Sequence, residues 1–218
     1  MALKPVSNES LRGRVAASIR ESILDGSLPP GAKLTEPELA RQLETSRGPI
    51  REALRDLEQE GLVRSQAHRS VRVVEITREE VLEVLVPIRL VIEEYAFRRA
   101  LTHLTASDFE TLDSLVAEME GVAAAGDAEA LGDLDVEFHR FVIDRAGQEQ
   151  CAQIWRSLQP RIRAHFRKEQ KTQRLDDVVD EHVLLLDALK AGDDQLVVER
   201  VREHVMTFPS HHQGEVPA

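Results

Sequence analysis

The chain has a single cysteine, Cys151, among 218 residues. It can close no internal disulfide and build no thiolate cage, which excludes an oxidised scaffold or a Cys-based zinc module; it reads as a small buried hydrophobe in a reducing compartment. Long apolar runs are missing too. The best of them, "VLEVLVPIRLVI", is broken by Glu83 and Arg89, and the opening "MALKPVSNESLR" has no apolar signal core, so no membrane insertion or export is expected and the address is cytoplasmic. No repeat of 20 to 50 residues and no G-x-S-x-G nucleophile motif is found. Positive charge is the last scarcity, with 28 Lys and Arg against 39 Asp and Glu, a net charge of -11.

What is present is unevenly spread. With 42% hydrophobic and 31% charged residues, the chain can support one large core or two unequal ones. Residues 1–75 hold twelve Lys and Arg against eleven Asp and Glu, net +1, which leaves sixteen against twenty-eight, net -12, for the rest. Only the first third would tolerate an acidic polymer, and any such binding must come from where its arginines sit.

That first third reads as three helices and a hairpin. A helix near residues 8–25 ends at the turn-rich "DGSLPPGAKL". A second starts with Thr35 as cap, Glu38 closing a capping box, Leu34 and Leu39 as hydrophobic staple, and Pro37 in the first turn. Ser46 caps the third, whose buried face is Ile50, Ala53, Leu54 and Leu57 and which stops at Gly61. The β-rich "LVRSQAHRSVRVVEI" then turns at Gln66 to Ser70. This order makes a winged helix-turn-helix, whose last helix enters the major groove by its N-terminal part. On that helix Arg47, Arg51 and Arg55 recur every fourth residue, placed to fork onto guanine or clamp phosphate. The plainer alternative is an exposed face on which they pair with Glu52, Asp56 or Glu58.

The segment "GSLPPGAKLTEPELARQLETSRGPIREALRDLEQEGLV" resembles the DNA-binding domain of the GntR superfamily of bacterial transcription regulators, over most of residues 10–76. The resemblance implies a homodimer that reads an inverted-repeat operator in double-stranded DNA. Arg47 and Arg51 would read or grip DNA from the third helix and the hairpin tip, His68 and Arg69, would touch the minor groove; Thr45, Ser46, Gly48, Pro49 and Arg55 are further candidate contacts at the head of that helix. Two positions depart from the family pattern: Pro37 stands where some members have a DNA-contacting arginine, and Ser70 where a wing-tip glycine is usual.

From residue 78 the apolar period is helical throughout, with breaks near "LTHLTASD", "AAAGDAE", "AGQEQ", "KTQRLDD" and "KAGDD", which predicts an antiparallel bundle of about six helices. The fold class is therefore mainly α, with a winged helix-turn-helix over 1–76 and an all-helical domain over 77–218. Polar residues enter the apolar stripes of that bundle. Asp135 and His139, four apart, run beside Leu131, Leu134, Phe138 and Val142; His182 lies among Val178, Leu185, Leu186 and Leu189; His204 lies among Val197, Val201, Val205 and Phe208. Each alone is most simply a core residue with one hydrogen bond. Together they need four separate solutions, or one divalent cation of the zinc or nickel kind.

"DVEFHR" is similar to the D-x-x-x-H signature of the all-helical FCD effector domain in the FadR-like GntR subgroup, and "DEHVLLLDALKAGD" and "VREHV" resemble its later histidine segments. The resemblance implies metal ligands Asp135, His139, His182 and His204, and a small carboxylate effector held by the metal and nearby basic residues. Arg89 is the first candidate for such a residue. It interrupts an inward face of Leu82, Leu85, Val86 and Ala96, its alternative being an internal pair with Glu93. Arg161 and Arg163, beside the buried side of Leu158, Ile162 and Phe166, are further effector candidates. The expected function is ligand-modulated repression, not catalysis. A hydrolase-like metalloenzyme is the rival reading, and it lacks a general base beside the proposed ligands; in another, the metal is structural or is itself the signal.

Overall fold

The computed structural model describes residues 11–66, 70–75, 77–169 and 174–207, with backbone alone at 66, 70 and 165–169. Two compact units divide at Glu75 and Ile76, each around its own core.

In the first unit, α1 (Leu11–Leu24), α2 (Glu36–Gln42) and α3 (Arg47–Gln59) pack with a three-stranded antiparallel sheet of order β1-β3-β2, made of β1 (Lys33–Leu34), β2 (Val63–Gln66) and β3 (Ser70–Val73). Ile50, Ala53, Leu54 and Leu57 of α3 are buried as their spacing predicts. A Schellman closure ends that helix: Gly61, at φ 73°, donates its N–H to Glu58 O, and Leu62 donates to Leu57 O.

Three local details differ from expectation. Thr35 and Ser46 occupy N-cap positions with extended backbone, but neither side chain makes the capping bond. Glu38 is drawn away from the capping box because Arg41 and Gln42, one turn on, donate to its carboxylate. Residues 33–34, read as loop, form the edge strand β1, with Lys33 opposite Arg72 and Leu34 opposite Val71.

The second unit begins with a three-residue turn α4 (Arg78–Glu80) that runs into a π-helical turn (Val81–Leu85) and then α5 (Val86–Ala100). Pro87 has no N–H to give Glu83 O, and the Val86 N–H bonds back to Val81 O. The extra residue shifts the helical phase. Val81 and Leu85 are buried, Leu82 is exposed rather than inward, and Arg89 and Glu93 both face the core. Then follow α6 (Ala106–Ala124), α7 (Ala128–Arg145), α8 (Glu149–Glu169), α9 (Leu175–Ala191) and α10 (Asp194–Thr207), so that the long rods α5–α10 number six, as the apolar period predicts. Thr105 and Asp108 form a complete capping box on α6, and Asp127 caps α7 by accepting from the Ala130 N–H. Helix α7 packs on α5, α6 and α8, while α10 packs on both α5 and α9. That neighbourhood brings the polar residues of α5, α7, α9 and α10 to one place.

Candidate metal centre and DNA-reading helix

Asp135, His139 and His182 are fully buried and His204 is 5% exposed. One ligand atom from each lies within 4.8 Å of all the others. Helix α7 supplies Asp135 and His139 one turn apart, α9 supplies His182 and α10 supplies His204. The four side chains named from sequence therefore do meet.

The ring orientations are fixed from behind. His139 Nδ1 lies 2.6 Å from Glu93 Oε2, His182 Nδ1 2.8 Å from Val178 O, and His204 Nδ1 2.9 Å from Glu181 Oε2. With Nδ1–H bonded to Val178 O in His182 and to Glu181 in His204, and with His139 Nδ1 in close ionic contact with Glu93, each imidazole turns its Nε2 inward. His139 Nε2 and His204 Nε2 stand 3.0 Å apart, and Asp135 Oδ1 is 3.3 Å from His182 Nε2, 3.6 Å from His204 Nε2 and 3.9 Å from His139 Nε2. Two Nε2 lone pairs facing each other at this distance repel unless a proton or cation lies between them. Ligand bonds of about 2.0–2.1 Å place neighbouring donors about 3.0–3.4 Å apart, so this spacing suits a small divalent ion. The donor set, three imidazoles and a carboxylate, fits the same group.

Charge in the surroundings is arranged to keep the ligands ionised or neutral as a metal needs. Burial pushes the Asp135 carboxyl up, but the close approach of His182, with His139 and His204 beside it, outweighs burial and holds the carboxyl well below the ordinary range. Burial, followed by His182 and His139, pushes the His204 imidazole well down, which keeps it unprotonated. Glu93 is buried too, yet Arg89 and then His139 hold its carboxyl at about 2. Arg89 Nε donates to Glu93 at 2.7 Å, and the guanidinium lies 5.6 Å from the centre of the Trp155 ring, itself 5.6 Å from the His139 ring. The Arg89–Glu93 pair weighed from sequence is thus present and adjoins the cluster through His139.

Arg161 and Arg163 are half-buried on α8, with Arg161 Nη1 3.9 Å from Glu80 and Arg163 Nε 2.8 Å from Asp133. Their ion partners lie outside the four-residue cluster. Along α8, Trp155 Nε1 and Gln159 Nε2, four residues apart, are buried donors with no acceptor among the described residues, as is Arg161 Nε, whereas Arg163 Nε lies 2.8 Å from Asp133 in poor alignment for a hydrogen bond. Sequence reasoning missed Glu181, Trp155 and Gln159. A carboxylate directly before His182 in "DEH" was the one available signal for Glu181, whereas Trp155 and Gln159 look like any helical core and flank residues.

On α3 the arginine stripe is exposed, as are Ser46 and Gly48, while Thr45 and Pro49 are half-buried. Among the described residues Arg47 has no ion partner. Arg51 forks onto Glu36 of α2 at 2.9 and 3.0 Å, a partner not anticipated, and Arg55 pairs with Glu52 at 2.8 Å, as the plainer reading held. Such exposed pairs are weak enough for phosphate or a base edge to displace. His68 and Arg69 lie outside the described residues.

Comparison with known proteins agrees with this anatomy. Residues 11–73 match the family model "Bacterial regulatory proteins, gntR family" and residues 80–207 match "FCD domain". The chain is 32% identical to the "Probable D-xylose utilization operon transcriptional repressor" of Paenarthrobacter nicotinovorans over 97% of this chain and 96% of that protein. It is 29% identical to the "Gluconate operon transcriptional repressor" of Bacillus licheniformis over 92% of this chain and 84% of that one. Among solved structures, E. coli McbR/YncC superposes with a TM-score of 0.78 at 25% identity, covering 91% of this chain and 94% of that one. The DNA-reading head, the buried Asp and three His, and these matches together place the chain in the GntR family, in its subgroup with an FCD domain, as a DNA-binding transcriptional regulator and not an enzyme.

Proposed function

We propose that the protein is a repressor that binds an inverted-repeat operator as a homodimer in the cytoplasm, and that a small organic acid changes its grip on DNA by binding beside a divalent metal. Asp135, His139, His182 and His204 would hold that metal, with zinc or nickel suiting the donor set. The observation that carries the reading is the inward convergence of three Nε2 atoms, each ring backed by its own acceptor. When bound, the metal supplies a Lewis-acidic anchor for an oxygen of the effector.

The remaining groups are this chain's own. Trp155 and Gln159, joined by Arg161, offer buried N–H donors that an oxygen-rich ligand would satisfy, and Arg163, paired with Asp133, adds a cation on the same helix. Arg89, held against Glu93, supplies positive charge beside His139. Relatives named for repression of gluconate and galactonate operons fit an acid of this kind, and one named for D-xylose utilization fits a polyhydroxylated one. At the DNA-reading end, Thr45, Ser46, Arg47, Gly48, Pro49, Arg51 and Arg55 would contact DNA from the head of α3, with His68 and Arg69 at the hairpin tip. For the acid to act, it must bind two arrangements of the dimer unequally; relief of repression means that it favours the arrangement with mismatched heads.

Titrating chelator-stripped protein with zinc or nickel by calorimetry, then with sugar acids, while following gel shift of the DNA upstream of its own gene, tests each step. One metal per chain, acid binding that requires it, and weaker DNA binding on adding acid are expected. Metal binding that survives His182→Ala, or an acid that tightens the DNA complex, overturns the reading.

A further inference from the structure

The three imidazoles of the cluster are not held alike. His182 Nδ1 donates to Val178 O one turn back on its own helix, so ring and acceptor move together with α9. His139 Nδ1 lies 2.6 Å from Glu93, a carboxylate without solvent exposure that Arg89 holds from its other side. Turning His139 outward would strip this buried carboxylate of one of its two partners, with no water to replace it. His204 differs from both. Its Nδ1 donates at 2.9 Å to Glu181 on the neighbouring helix α9. Among the ligands and their backing carboxylates only this pair touches solvent, with 5% of the imidazole and 20% of the carboxylate exposed. His204 stands in the last turn of α10, where Thr207 Oγ1 donates to its carbonyl. Glu181 directly precedes His182, so its bond ties the end of α10 to the part of α9 that bears another ligand.

Resting on the metal reading above, we propose that Glu181 is a positioning residue that latches His204, and that release of this one ligand at the seam between α9 and α10 is the route by which the cluster is loaded and emptied. Opening costs least there. When the bond breaks, water takes over the part-exposed carboxylate and the freed Nδ1–H, a substitution that the other two rings are too deeply buried to make. Asp135, His139 and His182 stay behind as a three-donor cradle from α7 and α9, with the fourth position open. When the latch is closed, Glu181 keeps the proton on Nδ1 and leaves Nε2 as the donor that faces Asp135 and His139.

The test uses full-length protein loaded with zinc and mixed with an excess of chromogenic chelator, so that colour follows release. E181A releases zinc about 10–100 times faster than wild type, and E181Q, whose amide oxygen still accepts from Nδ1–H, falls between the two. Metal-free E181A takes zinc up at least as fast as wild type, because a weaker latch opens the cluster in both directions; a ring made merely a poorer donor would speed release alone. D180N removes the same charge from an exposed position one residue earlier and leaves both rates as in wild type. Urea midpoints of the metal-free variants stay with that of wild type, since the bundle core is untouched. Release from E181A at the wild-type rate overturns the proposal, and so does slower uptake. D180N matching E181A would assign the effect to charge alone, and a fall in urea midpoint that accompanies faster release would assign it to general loosening; either also overturns it. Wild-type protein that takes up no zinc defeats the metal reading itself and this proposal with it, whereas the other outcomes defeat only the latch.

Discussion

Replacing Glu93 by Gln removes the anion that faces both Arg89 and His139 while keeping its shape. Both members of the Arg89–Glu93 pair are fully buried, 2.7 Å apart. Breaking such a pair from one side costs about 3–5 kcal/mol, because the remaining charge stays desolvated. Arg89 also feels Asp135 and Glu181, which places Glu93→Gln near the lower end, about 3 kcal/mol. Titration leads to a similar figure. Burial raises the Glu93 carboxyl, but Arg89 and His139 bring it from 4.5 down to about 2, worth on the order of 3 kcal/mol at about 1.4 kcal/mol for each pH unit. Because the folded value is depressed, this stability is present above the unfolded value near 4.3 and is lost as pH falls toward 2. Wild-type protein should therefore lose stability more steeply than the variant between about pH 4.5 and 2. The assay is urea unfolding of chelator-treated protein, read by the fluorescence of Trp155, the chain's only tryptophan, which lies against Arg89. The double variant Arg89→Met with Glu93→Leu should recover to within about 1 kcal/mol of wild type, since an apolar pair needs no compensation. A Glu93→Gln cost below about 1 kcal/mol, or a double variant as unstable as the single one, would refute the electrostatic account.

Adding zinc to stripped protein at a hundred times its dissociation constant should stabilise the helical unit by about 2.7 kcal/mol, and Asp135→Asn should abolish most of that gain in the same urea assay. Arg47→Ala, which removes a cation that has no ion pair among the described residues, should cost about 1–3 kcal/mol of discrimination between operator and mixed sequence, measured by competition gel shift. Arg55→Ala should cost less, because Glu52 already holds that guanidinium. Glu44, in the turn between α2 and α3, has φ 48°, a conformation that disfavours side chains, so Glu44→Gly should raise the thermal midpoint in calorimetry by the equivalent of up to about 1 kcal/mol; a clear drop would show that its side chain matters more than its backbone.

Periodicity made much of this architecture legible. The buried face of α3 and the inward turn of His139, His182 and His204 follow from apolar residues at three- and four-residue spacing, because a side chain flanked on its stripe by buried neighbours has nowhere else to point. What escaped was set by atoms far apart in the chain or by single hydrogen bonds. Strand β1 has only two residues, too few to alternate, and exists because β3 pairs with it. The π-helical turn that exposes Leu82 follows from the missing N–H of Pro87, and no count of apolar spacing registers it. The caps at Thr35 and Ser46 were read from residue type, yet Glu38 found partners on its own helix. Glu93 was identified as a partner for Arg89 but not for His139, because the second contact crosses from α5 to α7 and depends on packing alone.

The enclosure of the metal cluster has a kinetic consequence. Three of the four candidate ligands have no solvent exposure and the fourth has 5%, so an ion would have no open route to them while the helices stay closed. Loading must then accompany chain collapse or await a breathing motion of the bundle, and loss must await the same motion. A metal held here as proposed, and an acid that reaches it, would therefore exchange only as fast as the bundle opens, so metal content would lag behind a change in supply.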